Sequence, residues 1–235
     1  MPRQGGDADQ VQSAMLATPL LDGVPKGAVG ALASAGRVRA YRKGTYLCHQ
    51  GDPADEIYFL LEGRVEISST SVTGSRVLHA TVDIPQFVGE LGVLAEIDRT
   101  ASVLTLEDCQ IWIADSETFL GLLAEEPSAA RSLLRVLARQ VQSHEAFVDD
   151  LLFLDLKGRV AKRLLQMATP SLDDLPPDGK AIPAVTHADL ASLCGGSREN
   201  VTRVLSEFQR RNLLERDGRR YVLMNVDGLA KIAGL

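Results

Sequence analysis

Between residues 37 and 115 the chain is written in short apolar runs separated by polar breaks. Ile57, Tyr58, Phe59, Leu60 and Leu61 make one run, Val65 and Ile67 mark a second, and Ile111, Trp112, Ile113 and Ala114 make a third. β-Branched and aromatic residues fill them, and glycines at 44, 51, 63, 74 and 89 close them. Short runs at roughly 8–12-residue spacing with glycine turns predict a small β-barrel or roll. Residues 11–36 read instead as short helical pieces, punctuated by Pro19, Gly23 and Pro25. No longer-period repeat is present.

After Pro127 the period changes to that of a helix. Leu134, Leu137, Val141, His144, Val148 and Leu151 recur at spacings of 3, 4, 3, 4 and 3, with Arg135, Arg139, Glu145 and Asp149 off that line. This is the seam of a two-stranded coiled coil about three heptads long, and it predicts a dimer helix. The alternative is a helix packed on its own domain's core. Asp155 then precedes a fresh helical pattern, an N-cap signal that predicts a break and a new domain. Residues 169–183, with four prolines, predict a surface loop. The expected domains are 1–127, 128–154 and 155–235.

Charge sharpens this division. The net charge of −6 argues against a nucleic-acid partner for the chain as a whole. Residues 156–235, however, carry 13 Lys and Arg against 9 Asp and Glu, whereas residues 1–155 carry 12 against 22. A basic module on an acidic partner domain is compatible with DNA. The hydrophobic fraction of 45% and charged fraction of 24% are those of an ordinary globular protein. The longest charge-free stretch, residues 10–21, has 12 residues, too few to span a membrane. Residues 1–10 are polar with two aspartates, which does not read as a signal peptide. Three cysteines far apart (Cys48, Cys109 and Cys194) make neither a disulfide framework nor a CxxC pair, and a reducing cytoplasm is the expected setting.

Two segments carry chemistry. In the first, Gly89, Glu90 and Leu91 make a glycine turn, and a short apolar run returns the chain to Arg99 and Thr100. Backbone N–H groups in such a turn, with one arginine, suit an anion of the phosphate kind. A glutamate there fits if it accepts a hydrogen bond from a ligand hydroxyl, as on a ribose. The competing reading is a Glu90–Arg99 ion pair on a hairpin. In the second, Thr186 caps a helix that turns Leu190, Ala191 and Leu193 inward, Gly195 and Gly196 make a turn, and Ser197 caps a second helix. Val201, Val204, Leu205 and Phe208 form the buried face of that second helix, leaving Arg198, Glu199, Asn200, Thr202 and Arg203 exposed. That is a helix-turn-helix pattern, and residues at such a helix start meet base edges in the major groove. Arg reads guanine there and Glu accepts from the cytosine amino group. Arg210, Arg211, Arg216, Arg219 and Arg220 follow around a turn at Gly218, as in a wing. A helix hairpin with a merely solvated charged face is the bland alternative.

These motifs, in this order, resemble the CRP/FNR family of transcription regulators, and its cyclic-AMP receptor class in particular. The segment from Gly89 to Thr100 is similar to the phosphate-binding cassette of cyclic-nucleotide domains. The hinge resemblance lies in Leu154, Asp155, Leu156, Lys157, Gly158, Arg159 and Val160. The recognition-helix signature runs from Cys194 to Arg203. The resemblance implies an α+β protein: a jelly-roll-like cyclic-nucleotide-binding β-roll joined by a long dimerisation helix to a winged helix-turn-helix. It implies that Arg99 and Thr100 hold a cyclic phosphate and that Glu90, between Gly89 and Leu91, meets the ribose 2′-hydroxyl. It assigns base reading to Arg198, Glu199 and Arg203, and backbone contacts to Thr186 and Ser197. Where cAMP-responsive members place hydroxyl residues on the dimer helix against the adenine, this chain has His144 and Glu145. Thr100 resembles the threonine that cGMP-binding domains favour, so cGMP stands beside cAMP as a candidate effector.

The implied function is cyclic-nucleotide-gated, sequence-specific DNA binding by a homodimer, on palindromic TGTGA-like half-sites, with RNA polymerase as a further partner. No nucleophile elbow, HExxH, P-loop or GxGxxG is present, so no enzyme is expected. A cyclic-nucleotide-degrading enzyme would need metal-binding His and Asp clusters, and the four histidines are scattered. A ligand-independent member of the family is the nearer rival. An iron–sulfur sensor would need clustered N-terminal cysteines. A haem sensor would need an axial ligand, and His79, in the strand-like run 75–82, reads as a surface or packed residue. Neither metal, haem nor cluster is expected.

Overall fold

In the computed structural model the description covers residues 4–235 except 73, 75, 84 and 170, with the backbone alone for residues 4–7. Ser75, the head of the run around His79, the first three residues of the polar start and Pro170 of the predicted loop therefore lie outside the described residues. The chain divides into two compact units, with the division between Val141 and Gln142.

The first unit opens with helices α1 (Gln4–Leu16) and α2 (Lys26–Ala35), joined through a short 3-10 turn at Pro19–Leu21. Helix α1 thus starts inside the segment read as a polar start. Eight strands follow: β1 (Arg37–Tyr41), β2 (Tyr46–Cys48), β3 (Glu56–Glu62), β4 (Val65–Thr70), β5 (Arg76–Val82), β6 (Gln86–Val88), β7 (Ser102–Thr105) and β8 (Cys109–Asp115). Helix α3 (Glu90–Ala95) lies between β6 and β7. The strands form two antiparallel four-stranded sheets, ordered β1-β8-β3-β6 and β2-β7-β4-β5. All five glycines that close the apolar runs adopt positive φ.

The central strands are apolar throughout because both of their faces are buried. Ile57, Phe59, Phe87, Trp112 and Ala114 point toward α1, α2 and the helices that follow the roll. Tyr58, Leu60, Val88, Ile111 and Ile113 point into the space between the sheets, against Val65, Val82 and Val103. Successive strand residues face opposite ways, so one run supplies both cores. Trp112 is fully buried and donates its indole N–H to the Ala33 carbonyl at 3.0 Å, tying the sheet to α2.

Helix α4 (Ser116–Glu125), which the sequence reading passed over, precedes the long α5 (Pro127–Phe153). Ala129, Ser132 and Leu133 bury the start of α5 against the first unit, and the Ser132 hydroxyl donates to the Asp22 carbonyl at 2.7 Å. The predicted seam splits. Leu137 is half-buried against that same core, while Leu134, Val141, Val148 and Leu151 are 42–66% exposed. Packing on its own domain and a largely solvent-facing apolar stripe therefore occupy different faces of one helix.

In the second unit, Asp155 caps α6 (Leu156–Ala168) by accepting from the Gly158 N–H at 2.8 Å. Next come β9 (Lys180–Ala181), α7 (His187–Cys194), α8 (Arg198–Arg210), β10 (Leu214–Asp217), β11 (Arg220–Leu223) and α9 (Val226–Ala233). The sheet order is β10-β11-β9, with Gly218 at the β10–β11 turn in the left-handed region. Strand β9 corrects the reading of residues 169–183 as loop alone. Its two residues pair with Val222 and Leu223, a partnership that no local pattern announces. Helix α9 also escaped the sequence reading. Leu164, Leu165, Leu190, Val201, Leu205, Phe208, Leu223 and Leu229 close the core of this unit.

Candidate functional site

Helix α3 begins where Gly89 adopts φ +91, a conformation that favours glycine. A Cβ on Gly89 would stand 2.4 Å from Arg99 Nη1. The space freed by the missing side chain is the space the guanidinium occupies. Arg99 is 4% exposed. Its Nη1 donates to the Gly89 carbonyl at 2.9 Å and its Nη2 to the Glu56 carbonyl, while Nε has no hydrogen-bond partner among the described residues. The guanidinium also sits over the Tyr58 ring, 5.0 Å from its centroid.

Gly89, Glu90, Leu91, Arg99 and Thr100 line one open pocket, together with Cys48, Ile67, Val88, Ala101 and Val103. A buried cation in a mostly apolar pocket wall is a place for an anion, since charge-assisted bonds strengthen where water is excluded. Arg99 spends Nη1 and Nη2 on carbonyls rather than on Glu90, so the hairpin ion pair is not how this segment is held together. Burial pushes the Glu90 carboxyl above the ordinary carboxylate range, opposed by main-chain N–H groups, by Gln140 on α5 and more weakly by Arg99. Thr100 and Leu91 are exposed. His144 and Glu145 are also exposed, on the part of α5 that belongs to the second unit, and the pocket's lining residues all belong to the first.

Sequence reasoning missed Tyr58, Cys48, Glu56 and Gln140. They reach this site from β3, β2 and α5, and no spacing within the cassette points to them. Burial raises both the Tyr58 phenol and the Cys48 thiol, so each stays protonated at neutral pH.

In the second unit both predicted caps form. Thr186 Oγ1 accepts from the Asp189 N–H at 3.1 Å, and Ser197 Oγ from the Asn200 N–H at 3.2 Å. Between the two helices Gly195 takes φ +61 and its N–H closes the end of α7. Val201, Val204, Leu205 and Phe208 are buried, while Arg198, Glu199, Asn200 and Arg203 are exposed. Arg203 Nη2 donates to Asn200 Oδ1 at 2.8 Å, which holds its side chain along the helix. Among the described residues no group of three or more His, Cys, Asp or Glu could hold a metal ion, and no helix is long and apolar enough to cross a membrane. His79 is exposed and bonds through Nε2 to Ser69 Oγ at 2.7 Å. Cys48, Cys109 and Cys194 are buried free thiols.

The fold and these segments define a cyclic-nucleotide-binding roll followed by a winged helix-turn-helix. Residues 38–126 match the cyclic nucleotide-binding domain family, and residues 158–232 match the Crp-like helix-turn-helix domain family. The chain is 30% identical over 191 residues to the cyclic AMP receptor protein of Thermus thermophilus, covering 81% of this chain and 85% of that one. It is 29% identical over 218 residues to a CRP-like cAMP-activated global transcriptional regulator of Mycobacterium tuberculosis, covering 91% and 96%. Its fold matches the c-di-GMP-responsive global regulator CLP of Xanthomonas campestris with a TM-score of 0.70 at 26% identity, over 86% of this chain and all of the other. The chain belongs to the CRP family of cyclic-nucleotide-binding transcription regulators.

Proposed function

We propose that this protein is a homodimer whose binding to specific DNA is gated by a cyclic nucleotide, with cAMP as the effector. The observation that carries the reading is Arg99, a buried guanidinium in a pocket wall shared with Glu90, its Nε without a hydrogen-bond partner among the described residues. In this reading Arg99 and Thr100 hold the cyclic phosphate within the turn of Gly89 and Leu91, and Glu90 accepts from the ribose 2′-hydroxyl. His144 and Glu145 meet the base. Residues 1–127 bind the effector, residues 128–154 pair the two copies, and residues 155–235 read DNA. The protein acts in the cytoplasm with RNA polymerase as its further partner, and it catalyses no reaction.

A two-fold dimer presents two recognition helices roughly 34 Å apart, one turn of DNA, so the operator is palindromic at that spacing. Arg198 and Arg203 read guanines and Glu199 a cytosine, on TGTGA-like half-sites facing TCACA, while Thr186 and Ser197 meet the DNA backbone. Effector binding sets the separation of the recognition helices. By linkage, DNA then tightens the effector by the same factor as the effector tightens DNA.

The direct test is fluorescence anisotropy of such a palindromic duplex with no effector, with cAMP, with cGMP and with cyclic di-GMP. Tighter binding with cAMP is the expected result. Tightening only by cGMP or cyclic di-GMP would reassign the effector, and equal affinity in all four arms would overturn the gating. Glu199→Ala is expected to relax preference at one base pair by about 1–3 kcal/mol. Its binding to unrelated duplex, which rests on phosphate contacts, should be unchanged. A binding-site selection that returns the same preference for both proteins would remove Glu199 from base reading.

Glu90 also predicts a pH profile. The ribose hydroxyl needs a carboxylate to donate to, and burial holds this carboxyl above its usual pKa of 4.5. Binding therefore favours the ionised form, so below the raised pKa a proton is released as the ligand docks. Affinity should rise with pH up to the raised pKa and level off above it. Calorimetry between about pH 5 and about pH 8 should show that rise for the unaltered protein and a flatter profile for Glu90→Gln.

A further inference from the structure

His187 opens α7 half-buried, with both ring nitrogens engaged. Nδ1 lies 2.8 Å from Thr202 Oγ1 on α8, and Nε2 lies 2.8 Å from the Tyr221 hydroxyl on β11. The imidazole and phenol planes are also nearly parallel, at 26°. The donors and acceptors around the ring favour one tautomer. Thr202 Oγ1 donates its only proton to the Arg198 carbonyl at 2.8 Å, so toward the ring it accepts. With Thr202 so engaged, Nδ1 carries the ring proton toward Thr202 Oγ1 and Nε2 accepts from the Tyr221 O–H, an assignment that the ring ¹⁵N shifts check. One hydrogen-bonded chain then runs from the wing, through the imidazole, to the carbonyl that opens the recognition helix.

The charges around the ring are cationic. Burial first, then Arg216 of β10 and Arg198 of α8, hold His187 below the ordinary histidine range. On α7 itself the Asp189 carboxylate is engaged at 2.7 Å by the Thr186 hydroxyl. On β11 burial raises the Tyr221 phenol, which stays neutral. Burial and the field of two arginines on the face assigned to DNA therefore favour the neutral imidazole in the free protein.

We propose that His187 is a positioning residue of the DNA-reading surface, joining wing to recognition helix and taking up a proton when the negative field of bound DNA phosphates offsets the positive field of Arg216 and Arg198. The inference rests on the DNA-binding reading above. The phosphates of bound DNA offset the positive field of the two arginines, which raises the histidine pKa. A group with a higher pKa in the complex than in the free protein makes binding tighten as pH falls through that interval. On protonation the Tyr221 oxygen accepts from Nε2–H, so the link between wing and helix persists.

The test uses the full chain and a mixed-sequence duplex at low salt, where base sequence plays least part. Affinity of the unaltered protein is expected to increase between about pH 8 and about pH 6, by up to about tenfold for each unit the pKa rises. His187→Gln keeps a donor and an acceptor but does not titrate, and its profile should be flat. Ring ¹⁵N shifts of the unaltered, DNA-free chain should report the neutral Nδ1–H tautomer, a readout independent of whether the variant folds. A flat profile for the unaltered protein, an undiminished slope in His187→Gln, or a different tautomer would each overturn the proposal. Absence of duplex binding at every pH would overturn the DNA-binding reading itself, and this inference with it.

Discussion

Arg99→Ala is expected to cut cyclic-nucleotide affinity by about tenfold to a hundredfold or more, the equivalent of about 1.5–3 kcal/mol for a charge-assisted contact. The side chain is 4% exposed and its Nη1 is already held against Gly89, so the fork is in place before any ligand arrives. Little side-chain entropy remains to be lost on binding, which favours affinity. Removing it also strands the Gly89 and Glu56 carbonyls and empties the space over the Tyr58 ring. Some loss of thermal stability should therefore accompany the loss of binding. Arg99→Lys separates the two effects. It keeps the charge but not the planar fork that reaches two acceptors and a third group at once, so it should recover only part of the affinity. Titration calorimetry with cAMP and cGMP, beside a thermal melt of each variant, gives both readouts. Unchanged affinity in a folded Arg99→Ala protein would remove the cassette from the effector site.

The second large effect is expected at Val148. The side chain is 51% exposed and continues the apolar line of Leu134, Val141 and Leu151 on α5. If that line is the dimer seam, Val148→Asp places an unpaired carboxylate in an apolar interface, a cost of about 3–5 kcal/mol for an uncompensated buried charge. In a two-fold interface the substitution enters twice, on the same patch of both subunits. Sedimentation velocity should then find monomers where the unaltered protein sediments as a dimer. Because the position is solvent-facing within the single chain, the fold itself should survive. A dimer of undiminished strength would mean that the copies associate elsewhere.

Much of the architecture was legible in the residues alone. The runs around Phe59 and Trp112, the turn glycines and the caps at Asp155, Thr186 and Ser197 all act over a few positions. Periodicity and capping are local physics, so a linear reading reaches them. The order of the cassette, the hinge and the recognition-helix signature was sufficient to point to the family. The seam of α5 was legible as a spacing, but its meaning was not. A helix of that period can face its own core or another copy, and only packing placed Leu137 inward and Val148 outward.

The contacts that give the candidate sites their chemistry were decided by tertiary structure. Arg99 meets the Glu56 carbonyl across 43 positions of sequence, and His187 meets Tyr221 across 34. Such partners depend on strand register and on how sheets and helices stack, and neither is encoded in any short window. Strand β9 is the same case, since two residues become a strand only because β11 offers them an edge. The sequence by itself determined the locally coded elements, those set by periodicity and capping, and which residues could bear charge or accept a proton. The tertiary structure decided which of those residues meet, because desolvation and hydrogen bonding depend on neighbours that the chain brings together only when it folds.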